Sequence, residues 1–332
     1  LIITGWILFA LITGLTVTVL KMEKMKKADP FSFEGEKEKL LQSLEKTRLS
    51  PAMTVKLMSR RGLSSNDVTA GLLHLALKGA VRLEYDNSAD NHSFVERKKE
   101  LPGEPLTEDE QFLLEWLLYR VGSNGVFRIG DLARYTDDKG KMEQYLHDLY
   151  TWEQRTVSSL KAFNLYRPLG LPRMLVLAGG AVGTLAGSVL VFFQPFTGAA
   201  VFLAGLAGLA AIYFVSPHTA AGRMEESRWR SYYQLLSSEE AGRLDREHLS
   251  LSFIYAIAFK VLDRFYTAFP VREADELKVN EEPFPLYYFA PAGSVVLSAE
   301  GVRMYEELEQ SFDRVENAPV AMGDSDLPDG LD

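Results

Sequence analysis

Three uninterrupted apolar runs divide the chain. Leu1–Leu20, Met174–Phe193 and Ala199–Val215 contain no Asp, Glu, Lys, Arg or His, whereas the segments between them are dense in charge. A twenty-residue helix covers ~30 Å at 1.5 Å per residue, the hydrocarbon thickness of a bilayer, so residues 1–20 are predicted to be a transmembrane helix. A secretory signal would carry its basic residues ahead of the apolar run. Here Lys21, Lys24, Lys26 and Lys27 follow it. The sequence does not open on Met, and an upstream part is expected to be missing. Residues 171–215 read as a transmembrane hairpin whose arms, Leu171–Phe193 and Gly198–Val215, flank a turn over Gln194–Gly198. Proline and glycine there interrupt a helix where the chain must reverse.

The polar segments alternate between helical and strand periodicity. Residues 21–49 read as a juxtamembrane linker running into a helix with Leu40, Leu41, Leu44 and Leu49 on one face. In 50–100, Ser64 or Ser65 with Asp67 caps a helix whose apolar face is Val68, Leu72, Leu73, Leu75, Ala76 and Leu77. Gly79 ends it as a left-handed residue. Val81–Tyr85 and His92–Arg97 then alternate as strands, and a helix followed by a two-stranded wing is the order of a winged helix. Residues 101–170 repeat that grammar loosely: a capping box at Thr107–Glu110, a strand at Val126–Ile129, a short helix at Asp131–Tyr135 and a long one at Lys139–Phe163. Residues 216–316 are predicted helical over Met224–Leu236, Ser250–Phe269 and Ala299–Asp313, with loop over 273–282 and 284–291. Residues 317–332, with Asp324, Asp326, Asp329 and Asp332, are expected to be a disordered acidic tail. The fold class so predicted is an α-helical membrane protein with three transmembrane helices and α+β winged-helix-like cytoplasmic modules.

Charge adds location. The net charge is −9, with residues 21–170 summing to +1 and 216–332 to −11, so no basic footprint for nucleic acid exists. Basic clusters follow the first run (Lys21, Lys24, Lys26, Lys27), precede the hairpin (Lys161, Arg167, Arg173) and follow it (Arg223, Arg228, Arg230). Positive residues mark the cytoplasmic side. All three clusters agree on a multi-pass inner-membrane protein with 21–170 and 216–332 cytoplasmic and whatever precedes Leu1 outside.

Three motifs resemble the YciQ-like family of bacterial predicted membrane proteins of unknown function. They are Val68–Gly79 with the strand after it, Thr219 and Gly222 with Trp229 and Tyr232-Tyr233, and Phe253–Phe259 with Tyr255, Ala256 and Phe259. Phe253-Ile254 stands where the family has Leu-Pro, and the tail is acidic where the family's is rich in Gly and Ser. The resemblance covers Leu1 to about Phe269 and implies a β-rich domain outside the membrane, no known catalytic residues, and a possible partner of the membrane-anchored LemA type. Trp229, Tyr232 and Tyr233 beside arginines fit either an interfacial anchor or a packed core helix.

Chemistry is sparse. With no cysteine there is no disulfide, thiolate metal site or cysteine nucleophile. His74, His92, His147, His218 and His248 match no metal-ligand spacing, and Asp245 with His248 reads as a solvated helix face. No catalytic residue, metal or cofactor is expected. Within the hairpin, Gly183 and Gly187 opposite Ala200, Ala204 and Gly208 form a small-residue seam for close helix packing, its neighbour being the first helix, a second copy or another protein. The spans carry no charge, which argues against a pump or secondary transporter. The helix at 65–78 offers only Asn66 and Lys78 to base edges, so nucleic acid is not an expected partner. The reading is a non-enzymatic scaffold or interaction protein contacting membrane lipid and a membrane protein or a second copy. The alternatives are a membrane-tethered DNA-binding regulator and a lipid-linked enzyme with an unrecognised site.

Overall fold

A computed structural model describes residues 2–24, 40, 49–86, 91–97, 105–136, 138–167, 171–214, 217–238, 246–268, 271–272, 278–279, 287–289 and 295–317. In chain order the helices are α1 (Ile2–Lys24), α2 (Pro51–Met58), α3 (Ser65–Leu77), α4 (Glu108–Glu115, continued by a π-helical turn over Trp116–Val121), α5 (Ala133–Thr136), α6 (Lys139–Ala162), α7 (Leu171–Phe193), α8 (Pro195–Phe214), α9 (Ala220–Leu236), α10 (Arg246–Ala258), α11 (Leu262–Ala268) and α12 (Ala299–Glu316). The strands are β1 (Val81–Asp86), β2 (Asn91–Glu96), β3 (Val126–Arg128), β4 (Val271–Arg272), β5 (Lys278–Val279), β6 (Tyr287–Phe289) and β7 (Val295–Ser298). The chain divides into two compact units, 1–31 with 161–227 and 32–160 with 228–332.

In the first unit α1, α7 and α8 pack on one another. Each holds a window long and apolar enough to cross a membrane: Ile3–Lys21, Arg173–Phe193 and Pro195–Ile212. Leu11, Leu185 and Leu203 are all more than 60% exposed. Helices that point leucines outward this way suit hydrocarbon, where their backbone groups are satisfied internally. The hairpin turns more tightly than the expected five-residue loop, because α8 already starts at Pro195. Proline at the first helical position gives up an N–H that has no helical partner anyway.

At the base of the hairpin the incoming and outgoing segments pair. Tyr166 and His218 form an antiparallel bridge, Thr219 N donates to Leu165 O (2.9 Å) and Arg167 N to Pro217 O (2.8 Å). The Thr219 hydroxyl accepts from Gly222 N (2.9 Å), capping α9, and donates to Asn164 O (2.8 Å). A Cβ on Gly222 would overlap the Leu165 carbonyl oxygen, so no side chain fits there. Gly222→Ala is expected to lower stability by about 1–3 kcal/mol, the usual penalty of overpacking. Thermal unfolding of the whole chain in mild detergent measures it; a wild-type melting point would show that the clasp yields without cost.

In the second unit β1, β2 and β3 form an antiparallel sheet in that order, with Phe94 opposite Phe127. β3 lies beyond residue 101, so the segments expected to be successive modules, 50–100 and 101–170, contribute to one sheet. Helix α3 is capped as expected: Ser64 N donates to Asp67 Oδ2 (2.8 Å), and Gly79 has φ +77°. Val68, Leu72, Leu73 and Leu75 are fully buried, and α2, α4, α10 and α12 all pack on α3. α10 is buried all round from Ser252 to Ala258, which explains why it shows no amphipathic stripe. On α12, Met304, Leu308, Phe312 and Val315 face inward, with Phe312 stacked on Phe127 (5.9 Å).

Two expectations about the C-terminal region are corrected. The helix predicted over 250–269 is two helices, α10 and α11, separated by a left-handed turn at Lys260 (φ +58°). The stretch read as loop contributes to a four-stranded sheet of order β4-β7-β6-β5, with β4 parallel to β7 and the other pairs antiparallel. Strands of two to four residues offer too few positions for an alternation to register. The juxtamembrane helix expected on Leu41 and Leu44, the acidic tail beyond Asn317 and the Asp245 side of the Asp245/His248 pair lie outside the described residues.

Candidate functional site

The small-residue seam is a three-helix contact. A Cβ on Gly187 would overlap the Phe202 backbone, and one on Gly205 would overlap the Thr184 and Gly180 backbones. Gly183 faces Ile12 of α1 as well as Gly205, and Gly208 lies against Thr16, Ile12 and Gly180. Ala204 is buried and Ala200 half-buried. The neighbour left open by the sequence is therefore α1, at least within one chain. Gly180 and Gly205 are the members that the Gly-x-x-x-Gly spacing did not single out. Thr16 and Thr184 donate back to Ile12 O and Gly180 O (both 2.8 Å), so their hydroxyls are satisfied inside their own helices.

Of the motif residues, Thr219 and Gly222 sit at the base of the hairpin, while Trp229, Tyr255, Ala256 and Phe259 lie in the second unit. Trp229 is 1% exposed, with ring centroids 4.6 Å from Tyr255 and 6.4 Å from Phe259. Tyr255 donates to Leu49 O (2.9 Å), and the Tyr232 and Ser252 hydroxyls share a hydrogen bond of 2.8 Å. These rings are a packed core rather than an interfacial anchor, because burial leaves neither Trp229 nor Tyr232 a surface to set at a headgroup layer. Ala256, fully buried, belongs to the same core.

The motif helix also ends at a cleft of about 310 Å³, where three helices converge. α2 contributes Val55 and Met58, with Ser59 after it; α9 contributes Arg230 and Tyr233; the end of α10 contributes Ala258, Phe259 and Lys260; and Arg61 completes the wall. Arg61 is fixed by two bonds to Asp67 (2.6 and 2.8 Å) and donates to Ala258 O (3.0 Å). Arg230 donates to Met58 O (3.0 Å). Two guanidinium groups thus cap the carbonyl ends of two helices, a favourable place for positive charge. Lys260 N bonds Ile257 O (2.9 Å) and Val261 N bonds Ala256 O (3.0 Å), a Schellman cap whose left-handed residue is a lysine where glycine is usual.

A second polar group lies inside the unit. Glu110 closes its capping box by accepting from Thr107 N (2.9 Å), both of its carboxylate oxygens accept from Lys78 Nζ at 2.8 Å, and it lies 3.1 Å from His74 Nδ1. Burial pushes this carboxyl up, but His74 and Lys78 outweigh burial and bring it down to about 2. Its neighbour Asp109 is pushed up by burial and accepts from Ser50 Oγ (2.5 Å). A carboxylate lowered on folding contributes stability in full above its unfolded value near 4.5 and loses it as pH falls through the folded value. The advantage of wild type over Glu110→Gln, on the order of 3 kcal/mol from this shift, should therefore be complete at pH 6 and shrink between pH 4.5 and 2. Unfolding of both chains across that range checks it; a constant difference would remove Glu110 as its source. Among the described residues no His, Asp and Glu side chains converge in a way that could hold a metal ion.

Three packed apolar helices with outward-facing leucines and a mixed polar unit define a helical membrane protein. The chain belongs to the DUF2207 family: the family's C-terminal domain, described as a predicted membrane protein, matches residues 47–269. The match takes in the hairpin, the aromatic core and the cleft, and ends before the second sheet and α12. No match to this chain was found among curated proteins or solved structures.

Proposed function

We propose that this protein is a non-enzymatic scaffold of the bacterial inner membrane, of the YciQ-like type. Its winged-helix-like region faces the cytoplasm and engages a membrane protein partner, of the LemA type or a second copy. The three basic clusters support the orientation, with 21–170 and 216–332 inside. One observation carries the reading against a DNA-binding regulator. α3, which occupies the place of a recognition helix, is enclosed by α2, α4, α10 and α12. Its two candidates for base contact are taken: Asn66 Nδ2 donates to Glu309 (2.6 Å) and Lys78 to Glu110. A helix that reads bases must offer donors to the major groove, and this one offers them to carboxylates of its own chain. What is left for partners is the outer surface of the unit, where Tyr150 is 61% exposed.

The test is purification of the full chain from its own membranes in mild detergent, with mass spectrometry of co-migrating proteins and the mass of the particle. A stoichiometric membrane partner or a defined homo-oligomer is the expected result. A clean monomer would overturn the proposal. A gel shift whose affinity falls steeply with salt would turn it toward the DNA-binding reading.

A further inference from the structure

We infer that the turn between α7 and α8 is a lipid-binding surface that stops inside the bilayer. It ends at the acyl–glycerol boundary of the leaflet opposite Arg173 and holds phospholipid through Phe192, Phe193 and Phe196, rather than emerging into water. Length is the first observation. Arg173 is the last charged residue before the turn, and Gln194 lies twenty-one positions beyond it. At 1.5 Å per residue that helix reaches ~31 Å, and less when tilted. The hydrocarbon alone is ~30 Å thick, and the headgroup layers bring the bilayer to about 40–45 Å. From Met174 to Pro217 the chain carries no charged residue and no histidine, so nothing in the turn draws it through the headgroups. In the orientation proposed above, this is the outer leaflet.

The second observation is that the turn is inside out for a loop in water. Phe192, Phe193 and Phe196 are 87%, 72% and 91% exposed. The polar side chains point the other way: Thr197 is buried against Gly5 of α1, and Gln194 Oε1 is enclosed with no hydrogen-bond partner. Water would favour the reverse arrangement, with the amide outside and the rings covered. Lipid covers all three rings as they stand. The backbone also suits this depth. Gln194 N donates to Leu190 O (2.7 Å), Gly198 N donates to Gln194 O (2.8 Å), and Pro195 brings no N–H. The remaining first-turn N–H groups of α8 find ester carbonyls at the acyl–glycerol boundary. The third observation is continuity. Val189 on α7 and Leu203 and Leu206 on α8 are exposed, so the aromatic tip extends the same uncharged surface that both arms present to hydrocarbon. Trp6 marks the boundary independently. It follows Gly5, which is level with Thr197, it is half-exposed, and tryptophan favours the membrane interface.

The chain has no cysteine, so a nitroxide can be attached at a single introduced thiol without any other change. Phe193→Cys and Phe196→Cys report on the turn, Leu185→Cys on the lipid-facing span, and Tyr150→Cys on the surface of the second unit. Each full chain is reconstituted in liposomes of phosphatidylethanolamine and phosphatidylglycerol. Power saturation then compares collisions with oxygen, which enters hydrocarbon, and with a nickel chelate, which hydrocarbon excludes. At 193 and 196 oxygen collisions are expected to exceed nickel collisions by about twofold or more, as at 185, whereas nickel should dominate at 150. The phenylalanines are exposed, so both turn variants should melt as wild type in detergent, which separates a displaced turn from a lost fold. Dominant nickel collisions at 196 would put the turn in water and overturn the inference. Loss of both oxygen and nickel collisions there would overturn it as well, by showing the tip covered by a second copy or another protein. Nickel access at 185 would remove the span itself. None of these outcomes depends on which partner the second unit engages, so the inference fails or stands separately from the scaffold reading.

Discussion

Asp67→Ala is expected to lower the stability of the chain by about 3 kcal/mol or more, the scale of breaking a buried ion pair. The Asp67 side chain is fully buried and accepts from both Arg61 nitrogens, from Ser64 N and from the Ser64 hydroxyl. Removing it strips the first turn of α3 of its capping carboxylate and leaves the Arg61 guanidinium, one-third exposed, without its counter-charge. Because Arg61 also reaches Ala258 O, the loss spreads from the start of α3 to the end of α10. Asp67→Asn should cost less, since an amide oxygen can still accept from Ser64 N. Arg61→Met should cost a comparable amount, by stranding Asp67. The double variant Arg61→Met/Asp67→Ala should cost less than the two single changes together, by about 1–3 kcal/mol of coupling. Denaturant unfolding of the four chains decides it: strictly additive losses would mean that the two side chains act independently.

Gly205→Val is the second large effect, and Gly179→Val is its control. A Cβ at Gly205 would overlap Thr184 N and Gly180 O, both backbone atoms, so no rotamer change can make room and α7 and α8 must move apart. Helices in lipid associate through close packing of this kind, because burial of apolar area gives them no further gain. The expected loss is about 2–3 kcal/mol, at the upper end of overpacking. Gly179, one residue from Gly180 on the same helix, has no heavy atom within 4 Å of the position of a Cβ. Its substitution should stay within about 0.5 kcal/mol, as for sites away from packing. Melting of both variants in detergent provides the comparison. Equal destabilisation would place the effect in glycine's helix propensity rather than in the seam. Selective loss at Gly179 would instead point to a contact with another chain through that face.

Several features of this protein were legible because they depend on neighbours in sequence. The apolar spans follow from twenty or so consecutive residues without charge. The caps of α3 and α4 follow from Ser64 with Asp67 and Thr107 with Glu110, each three residues apart and so within reach across one helical turn. Gly79 ends α3 in a left-handed turn for the same local reason. Lys260 ends α10 with the same geometry, yet nothing in the residue type announces it, since a lysine carries no turn signal. Local periodicity equally could not say that β3 closes onto β2 across the intervening residues, nor that two-residue strands at 271 and 278 join a sheet, because strand pairing is decided by partners distant in the chain.

The sequence alone determined the membrane class, the hairpin and the motif residues. Only the tertiary structure decided what those residues do. Trp229 beside arginines fitted an anchor or a core equally well until Tyr255 and Phe259 were seen to enclose it. Gly222 acquired its reason from the carbonyl of Leu165, which approaches from the other side of the hairpin. The cleft draws its walls from residues 55–61, 230–233 and 258–260, and no pattern within any one of these segments encodes a concavity. Spacing along a chain fixes which side chains share a face of one element. The meeting of faces from distant elements is set by long-range packing, and that is where this protein keeps both its buried charges and its candidate site.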